Sequence, residues 1–233
     1  NLTVQGGDDK TRYFVSAGFM DQKGNIDKFN YNRYNMRANI ESKISENLIF
    51  TAGLSGVVGR RNTPRYAAGG GETFENHSGW FSIGRQTIGM CPFVPEMMDG
   101  QYTGSKADNQ EFPYSPLAAI YSSGYKNHRS FDASANASLT WNVPWVKGLS
   151  LKASGSYDYG TTFSKNLDTP YTVNYKYYES TTNQWSWATG TDTNNAADGN
   201  KVYDGQSNYQ QMVGQASINY ANQFGDHSVE LLA

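Results

Sequence analysis

The side chains that could perform acid–base or metal chemistry are few and scattered. His77, His128 and His227 lie far apart in sequence, and no spacing predicts that they assemble into a triad or a metal site. The single cysteine, Cys91, has no Cys or His neighbour at ligand spacing and no partner for an internal disulfide. The Asp8–Asp9 pair falls in a turn, where Asp favours local hydrogen bonds. We therefore expect no catalytic residue, no metal, no cofactor and no enzyme.

Two loop motifs resemble known ligand-binding loops only superficially. The Gly69–Gly71 run is followed by Glu72 instead of the Lys-Ser/Thr that a phosphate-binding loop requires. Asp192, Asn194 and Asp198 suggest calcium ligands, but the Gly and Glu positions of an EF-hand loop are missing. Both segments are predicted to be solvated loops.

Aromatic rings in two long loops are the better candidates for binding. Such rings stack on sugars or peptide side chains while their polar edges form hydrogen bonds. Packing within the loops, or contact with a protein partner, explains each ring equally well. The substrate-binding candidates are Tyr66, Trp80, Phe81, Tyr102, Tyr121, Tyr175, Trp185 and Trp187.

The elements that must carry these loops are strands, because apolar and polar residues alternate in segments of roughly ten residues. In the second of them, Tyr34, Met36, Ala38 and Ile40 oppose a polar set that begins at Arg33. Weaker alternation at both ends brings the total to about eight strands. The clearest segments are Thr11–Met20, Tyr31–Ser42, Leu48–Val58, Phe131–Trp141, Leu149–Tyr159 and Met212–Tyr220.

The two faces of these strands differ in a way that favours a membrane over the interior of a soluble sandwich. The apolar faces carry no charge, as expected where a charge facing lipid costs about 2–4 kcal/mol. The polar faces carry mostly Ser, Asn, Thr, Gln and Gly, whereas a sheet exposed to water is normally covered by Lys and Glu. The charged residues predicted to face a lumen or a plug are Arg12, Arg33, Arg37, Glu41, Asp132, Lys152 and Asp158.

The connections alternate between short and long, as they do in bacterial outer-membrane barrels. The long ones span residues 61–127 and 166–205 and are predicted to lie at the external end. Aromatic residues at strand ends are predicted to form two interfacial girdles. Trp141, Trp145, Tyr220 and Phe224 would lie on the short-turn side, and Phe29, Tyr31, Tyr159 and Phe163 on the long-loop side.

Composition excludes several other classes of protein. Charged residues make up 17% of the 233 residues and the net charge is -2, so the chain has no basic field for nucleic acid. No apolar run reaches the roughly 18 residues of a membrane-spanning helix, so a bilayer could be crossed only by a barrel. The chain also begins and ends without a leader or a closing element, which predicts that it is part of a longer protein.

Specific residues resemble one transporter family. Gly6-Gly7 precedes Lys10-Thr11-Arg12-Tyr13, and Tyr31-x-Arg33-Tyr34-Asn35-x-Arg37-x-Asn39 follows. This first quarter of the chain resembles the segment that follows the plug in SusC/RagA-type TonB-dependent outer-membrane transporters of Bacteroidetes-like bacteria. GLSLKASGSYDYG resembles the family more loosely, and the long loops match nothing recognisable.

The resemblance implies an all-β fold, part of a transmembrane antiparallel β-barrel of about 22 strands. Residues 1–233 would form a partial barrel domain, with the plug and the C-terminal strands outside this chain. It also implies lipid contact, coupling to TonB through the plug, and a SusD-like surface lipoprotein over an oligosaccharide or peptide substrate.

Two further function classes remain open. A passive outer-membrane pore or a surface adhesion barrel needs neither plug nor TonB, and it predicts strands running directly back to a leader. A soluble carbohydrate-binding β-sandwich is a third alternative, and it predicts cooperative folding without detergent. We expect the isolated chain to fail that test, because unpaired strand edges and an apolar band would face water.

Overall fold

The computed structural model describes residues 1–65, 78–106, 113–192 and 199–233. Most of these residues lie in one eight-stranded sheet, in which every neighbouring pair of strands is antiparallel. The strands of this barrel sheet are β1 (Leu2–Gly7), β2 (Thr11–Lys23), β3 (Asn30–Ser45), β4 (Leu48–Pro64), β7 (Gly124–Asn142), β8 (Leu149–Asp168), β11 (Lys201–Phe224) and β12 (His227–Leu232).

The barrel sheet is a meander, in which each strand pairs with the next strand of the same sheet along the chain. At one end the connections are short turns, and Asp8 shows how such a turn is fixed. Its carboxylate accepts hydrogen bonds from the backbone N–H groups of Lys10 and Thr11, at 2.8 and 2.7 Å. These hydrogen bonds lower the pKa of Asp8 below its ordinary value, since they favour the charged form. The predicted antiparallel layout of about eight barrel strands is confirmed.

The apolar face of the barrel sheet is exposed. Tyr13, Val15 and Phe19 on β2 are 41–55% exposed, and Met36 and Leu54 on the next two strands are equally open. None of the described chain covers these side chains, although their burial would normally supply the main driving force for folding. An apolar surface of this extent indicates contact with lipid or protein. Ile218, which a soluble sandwich would bury, is 52% exposed.

The height of the apolar band matches a membrane. It runs along β4 from Leu48 to Val58, about 33 Å at roughly 3.3 Å per residue. With the strand tilt of about 40° found in outer-membrane barrels, this length becomes about 25 Å, which is the height of their lipid-facing band. Beyond Val58 the same face turns polar at Arg60.

Aromatic residues border the band, with two differences from the predicted girdles. At the short-turn end, Trp141 and Trp145 pack edge to face, with ring centroids 5.4 Å apart. At the other end, Tyr31 lies on the polar face, because it pairs with Gln22 and Arg61 there. Phe29 packs instead against a core formed by the long loops. The girdle prediction used only position near a strand end, and β3 begins in the loop region.

The long connections contain a second sheet, which the sequence analysis did not predict. Its strands are β5 (Met97–Met98), β6 (Gln101–Lys106), β9 (Tyr171–Glu179) and β10 (Gln184–Asp192). We call these four strands the loop sheet; together with the helices α1 (Ser78–Gly89) and α2 (Pro116–Tyr121) they form the loop unit. The strand order is β10-β9-β6-β5, and the parallel pairing of β6 with β9 joins the two long connections.

Local chemistry explains two of these elements. Asp99 and Gly100 both have positive φ, 52° and 77°, as a two-residue type I′ turn requires, and so they join β5 to β6. Pro116 begins α2, where its missing N–H costs no helical hydrogen bond.

The buried core lies in the loop region. It consists of residues from both helices and from β9, and Ile26 and Phe29 from the β2–β3 connection pack against it. The β2–β3 connection and the two long connections therefore pack together at one end of the barrel sheet. The fully or nearly fully buried members are Ile83, Ala118, Ala119, Ile120, Tyr171 and Val173.

The barrel strands run past the predicted loop limits of 61–127 and 166–205. β4 continues to Pro64 and β8 to Asp168, so the strands rise above the membrane-sized band before the chain turns into the loops. In the part of the chain that is described, no helix has the length and apolarity needed to span a membrane.

Candidate functional site

The β9–β10 hairpin positions most of the predicted binding aromatics. Antiparallel register places Tyr178 opposite Trp185 and Lys176 opposite Trp187, so these four side chains share one face. Tyr175 is on the other face, opposite Ala188. The structure thus separates the predicted aromatic set instead of gathering it into one cleft.

The exposed face of this hairpin carries two tryptophans close to a cation. Trp185 is 54% exposed and Trp187 40% exposed. Tyr178 meets Trp185 edge to face at 5.4 Å between centroids, and the Lys176 ammonium lies 5.6 Å from the Trp185 ring. Such an aromatic surface can stack on a sugar ring or a peptide side chain, and Lys176 adds attraction for a carboxylate. We call Lys176, Tyr178, Trp185 and Trp187 the aromatic patch.

The opposite face of the hairpin is more enclosed. Tyr175 lies 6.0 Å from Tyr177, and the ammonium of Lys106 is 5.9 Å from the Tyr175 ring. A Cβ added to Gly190 would sit 3.0 Å from the Tyr175 ring, so glycine there leaves room for the tyrosine. Tyr175 therefore supports packing of the loop sheet, the alternative that the sequence left open.

Tyr102 and Tyr121 form a separate contact near the β2–β3 connection. Their rings are nearly parallel, 19° apart, with centroids 6.0 Å apart. The Tyr121 hydroxyl donates a hydrogen bond to the Asp27 carboxylate, and the ammonium of Lys28 lies 5.0 Å from the Tyr121 ring. The Asp27 contact, assisted by burial and by the negative charge, raises the pKa of Tyr121. Tyr121 therefore joins α2 to the neighbouring connection.

Three predicted aromatic residues contribute no described side chain. Tyr66 lies outside the described residues, and so do His77, the Gly69–Gly71 run with Glu72, Asn194 and Asp198. The backbone places Trp80 and Phe81 in α1, but their side chains lie outside the described part of the chain.

All seven charged residues predicted to face the interior lie on one face of the barrel sheet. Register places Arg12 beside Glu41, and the same face continues laterally through Thr51. None of the seven forms an ion pair with another described residue. Four cations and three anions on this face are therefore open to a partner. By register the set is Arg12, Arg33, Arg37, Glu41, Asp132, Lys152 and Asp158.

The polar face also has two shallow depressions, of about 330 and 280 Å³. The first is lined by Arg12, Phe14 and Glu41, and the second by Lys152 and neighbouring serines. Both are small and open, and they suit contact with polar protein surface.

The side chains that could act in acid–base or metal chemistry do not come together within the described residues. His128 contacts Ser164 at 3.2 Å between Nδ1 and Oγ, while His227 begins β12 at the other end of the sheet. Across residues 1–65, 78–106, 113–192 and 199–233, no group of three His, Cys, Asp or Glu side chains could hold a metal ion.

The arrangement of strands resembles solved transporter structures. A structure of the RagAB peptide transporter aligns over 94% of this chain, with a TM-score of 0.52 and 18% identity. Structures of the RagAB peptide importer in the closed-closed and open-open states align over the same share, with TM-scores of 0.51 and 0.50 and identities of 17% and 18%. The chain has the fold of part of a transporter β-barrel.

That likeness is one of fold alone. The chain spans 29% of the length of each of these three transporter chains. No protein-family model matches the chain, and no curated protein matches it significantly. The predicted fold class is confirmed by the eight-stranded antiparallel sheet and by this alignment.

Proposed function

We propose that this chain is part of the barrel wall and surface loops of a SusC/RagA-type outer-membrane transporter that imports large nutrients. One observation carries the proposal: the barrel sheet exposes an uncharged band of membrane height, while the opposite face carries the seven unpaired charged residues. In a barrel, the first face contacts lipid and the second surrounds an interior.

The unpaired charges on the polar face support the proposal that a plug domain fills the lumen of the barrel. Arg12 and Glu41 flank one depression and Lys152 lines the other, and no described ion pair neutralises them. A plug domain presenting polar groups of both signs would satisfy these side chains, since charges removed from water require partners. TonB would act through that plug, outside this chain.

The loop unit supports contact with cargo and with a SusD-like surface lipoprotein. Its aromatic patch is exposed and carries a cation, which suits peptide or oligosaccharide ligands. The fold likeness to structures of a peptide transporter makes peptides the first class to test. In this proposal the chain lies in a bacterial outer membrane. It binds and admits cargo and does not catalyse a reaction.

The test uses the full-length protein that contains this chain, expressed in the outer membrane of a host lacking its own importers of this class. Uptake of fluorescent oligopeptides and of oligosaccharides is measured with and without a protonophore. The proposal predicts uptake that stops when the proton gradient is collapsed or TonB is deleted. Uptake that continues unchanged would establish a passive pore instead, and failure to reach the outer membrane would refute the proposal.

A further inference from the structure

An apolar depression of about 610 Å³ lies on the apolar face of the barrel sheet, near the loop end of the band. Its floor is low because Gly56 has no side chain, and its neighbours across the ladder are Met36 and Ala133. Phe19, Tyr34 and Phe131 line it, together with Asn1 and Leu2 at the edge of the sheet. Phe19 and Tyr34 lie 4.9 Å apart between ring centroids, and Phe131 and Tyr159 lie 6.3 Å apart.

Two arginines stand directly above this depression on the same face. Arg60 follows Val58 by two residues on β4, and Arg129 precedes Phe131 by two residues on β7. Side chains two apart on a strand share a face, so both guanidinium groups begin about 7 Å along the strands from the depression. They lie beyond the apolar band, at the depth where lipid headgroups would be.

The register places these like charges directly opposite each other. Cβ atoms in such a pair are about 4.5–5.5 Å apart, and like charges in this position disfavour the sheet. Both side chains are exposed, and neither forms an ion pair or hydrogen bond with any residue in the described ranges. An anion placed between them would offset the repulsion.

The nearest acidic residue of the same row is already engaged. Asp21 lies two strands from Arg60, at about 10 Å for a strand spacing of roughly 4.8 Å, and accepts a hydrogen bond from the Asn32 amide. Lys165, one row further out, already faces Asp204 at 4.0 Å. The arginine pair is therefore the local cationic centre on this face.

Resting on the proposed function, which places this face in an outer membrane, we infer that the site binds a phosphorylated lipid of the outer leaflet. The phosphate would lie between Arg60 and Arg129, whose planar guanidinium groups bind phosphate through paired hydrogen bonds. One acyl chain would fill the depression over Gly56. The occupant must carry both an anionic group and an apolar chain. A lipid with a phosphate headgroup has both, whereas a soluble anion has no apolar chain.

The headgroup half of the site is tested with the full-length protein in detergent micelles, by native mass spectrometry. The probes are phosphorylated lipid A, the same lipid with its phosphates removed, and inorganic phosphate. Phosphorylated lipid A should bind, and the double variant Arg60→Gln/Arg129→Gln should bind it about 100-fold more weakly, since each of the two lost arginine–phosphate contacts is worth about tenfold. Removing two charges at the opposite end, in Lys10→Gln/Lys147→Gln, should leave binding unchanged.

The acyl-chain half is tested by filling the depression. A Cβ added to Gly56 meets nothing closer than 3.9 Å, so Gly56→Phe should fold normally and occupy the space that the acyl chain needs. Gly214 is on the same face by register, and a Cβ there meets nothing within 4 Å. Gly56→Phe should weaken lipid binding and Gly214→Phe should not.

The outcomes separate this inference from the proposed function. Equal binding of phosphorylated and dephosphorylated lipid, or equal binding by wild type and the arginine double variant, would overturn the inference while energy-dependent uptake remained intact. Binding of inorganic phosphate as strong as that of the lipid would also overturn it, because the depression would then contribute nothing. Loss of energy-dependent uptake in the wild-type protein would count against the proposed function alone.

Discussion

Arg65 and Asp168 form a two-pronged ion pair at the junction of the barrel sheet and the loop sheet. The guanidinium donates to both carboxylate oxygens, and Asp168 is 1% exposed. The pair joins the end of β4 to the end of β8, at the two points where the chain enters the long loops. The starts of both long loops are therefore held together by a buried electrostatic contact.

Asp168→Asn should loosen the loop sheet. The change leaves the Arg65 charge partly buried without its carboxylate, and breaking one side of a buried pair typically costs about 3–5 kcal/mol. Hydrogen exchange of the β9 and β10 amides measures the effect, which should appear as faster exchange there. Lys165→Gln is the matched control, because Lys165 and Asp204 are 44% and 52% exposed and such pairs contribute about 1 kcal/mol or less. Equal exchange in both variants would contradict the role given to Asp168.

The Tyr121–Asp27 contact should depend on pH at the alkaline end. Asp27 raises the pKa of Tyr121 above its ordinary value of 10.0, so the neutral phenol is favoured in the folded protein. The stabilisation is therefore complete below pH 10 and is lost as the pH rises through the raised pKa. A difference titration of tyrosine absorbance, wild type minus Tyr121→Phe, should show one component later than a free tyrosine. A component at or below the ordinary value would refute the contact.

Gly104 should tolerate no side chain. A Cβ there would lie 2.6 Å from the backbone oxygen of Tyr114, on the segment that bridges to Ser105. Gly104→Val should destabilise the loop sheet by about 1–3 kcal/mol, as overpacking generally does. The midpoint of chemical denaturation, followed by fluorescence of the loop tryptophans, measures this change. Gly205→Val is the control, since a Cβ at Gly205 meets nothing within 4 Å, and an equal loss in both would disprove the steric explanation.

The aromatic patch should matter for cargo. Trp185→Ala and Trp187→Ala each remove an exposed ring worth about 0.5–1.5 kcal/mol in stacking, so the apparent affinity for imported peptide should fall about 2- to 10-fold. Concentration dependence of uptake provides the measurement. Trp145→Ala at the short-turn end, 73% exposed, should leave the affinity unchanged. If the patch contacts only the lipoprotein, the two substitutions would instead weaken the association of the two proteins and leave the affinity for cargo unchanged.

The barrel sheet followed from the sequence because each strand has one apolar and one polar face, and these impose strict alternation. Tyr34, Met36, Ala38 and Ile40 alternate with polar residues, and the structure pairs them on one face. The prediction of the aromatic girdle failed at Tyr31, where that constraint ends. Tyr31 is apolar in type but lies above the band, where either face tolerates a tyrosine.

The loop sheet was missed although part of it alternates. Tyr171, Val173, Tyr175 and Tyr177 share one face of β9, a pattern that its position in a long connection obscured. The parallel pairing of Thr103 with Asn174 joins segments far apart in sequence, and no local pattern encodes such a contact. The arginine pair was also missed, because only the register brings Arg60 beside Arg129.

The central claim is that the two faces of one strand meet different solvents, and nitroxide labels test it directly. The label is attached to a single cysteine, introduced as Leu54→Cys or as Ser55→Cys at the neighbouring position. The full-length protein carries Cys91→Ser and is placed in lipid vesicles. Relaxation by oxygen, which concentrates in lipid, should dominate at position 54, and relaxation by a water-soluble nickel chelate should dominate at position 55. The same preference at both positions, or the reverse, would contradict the account.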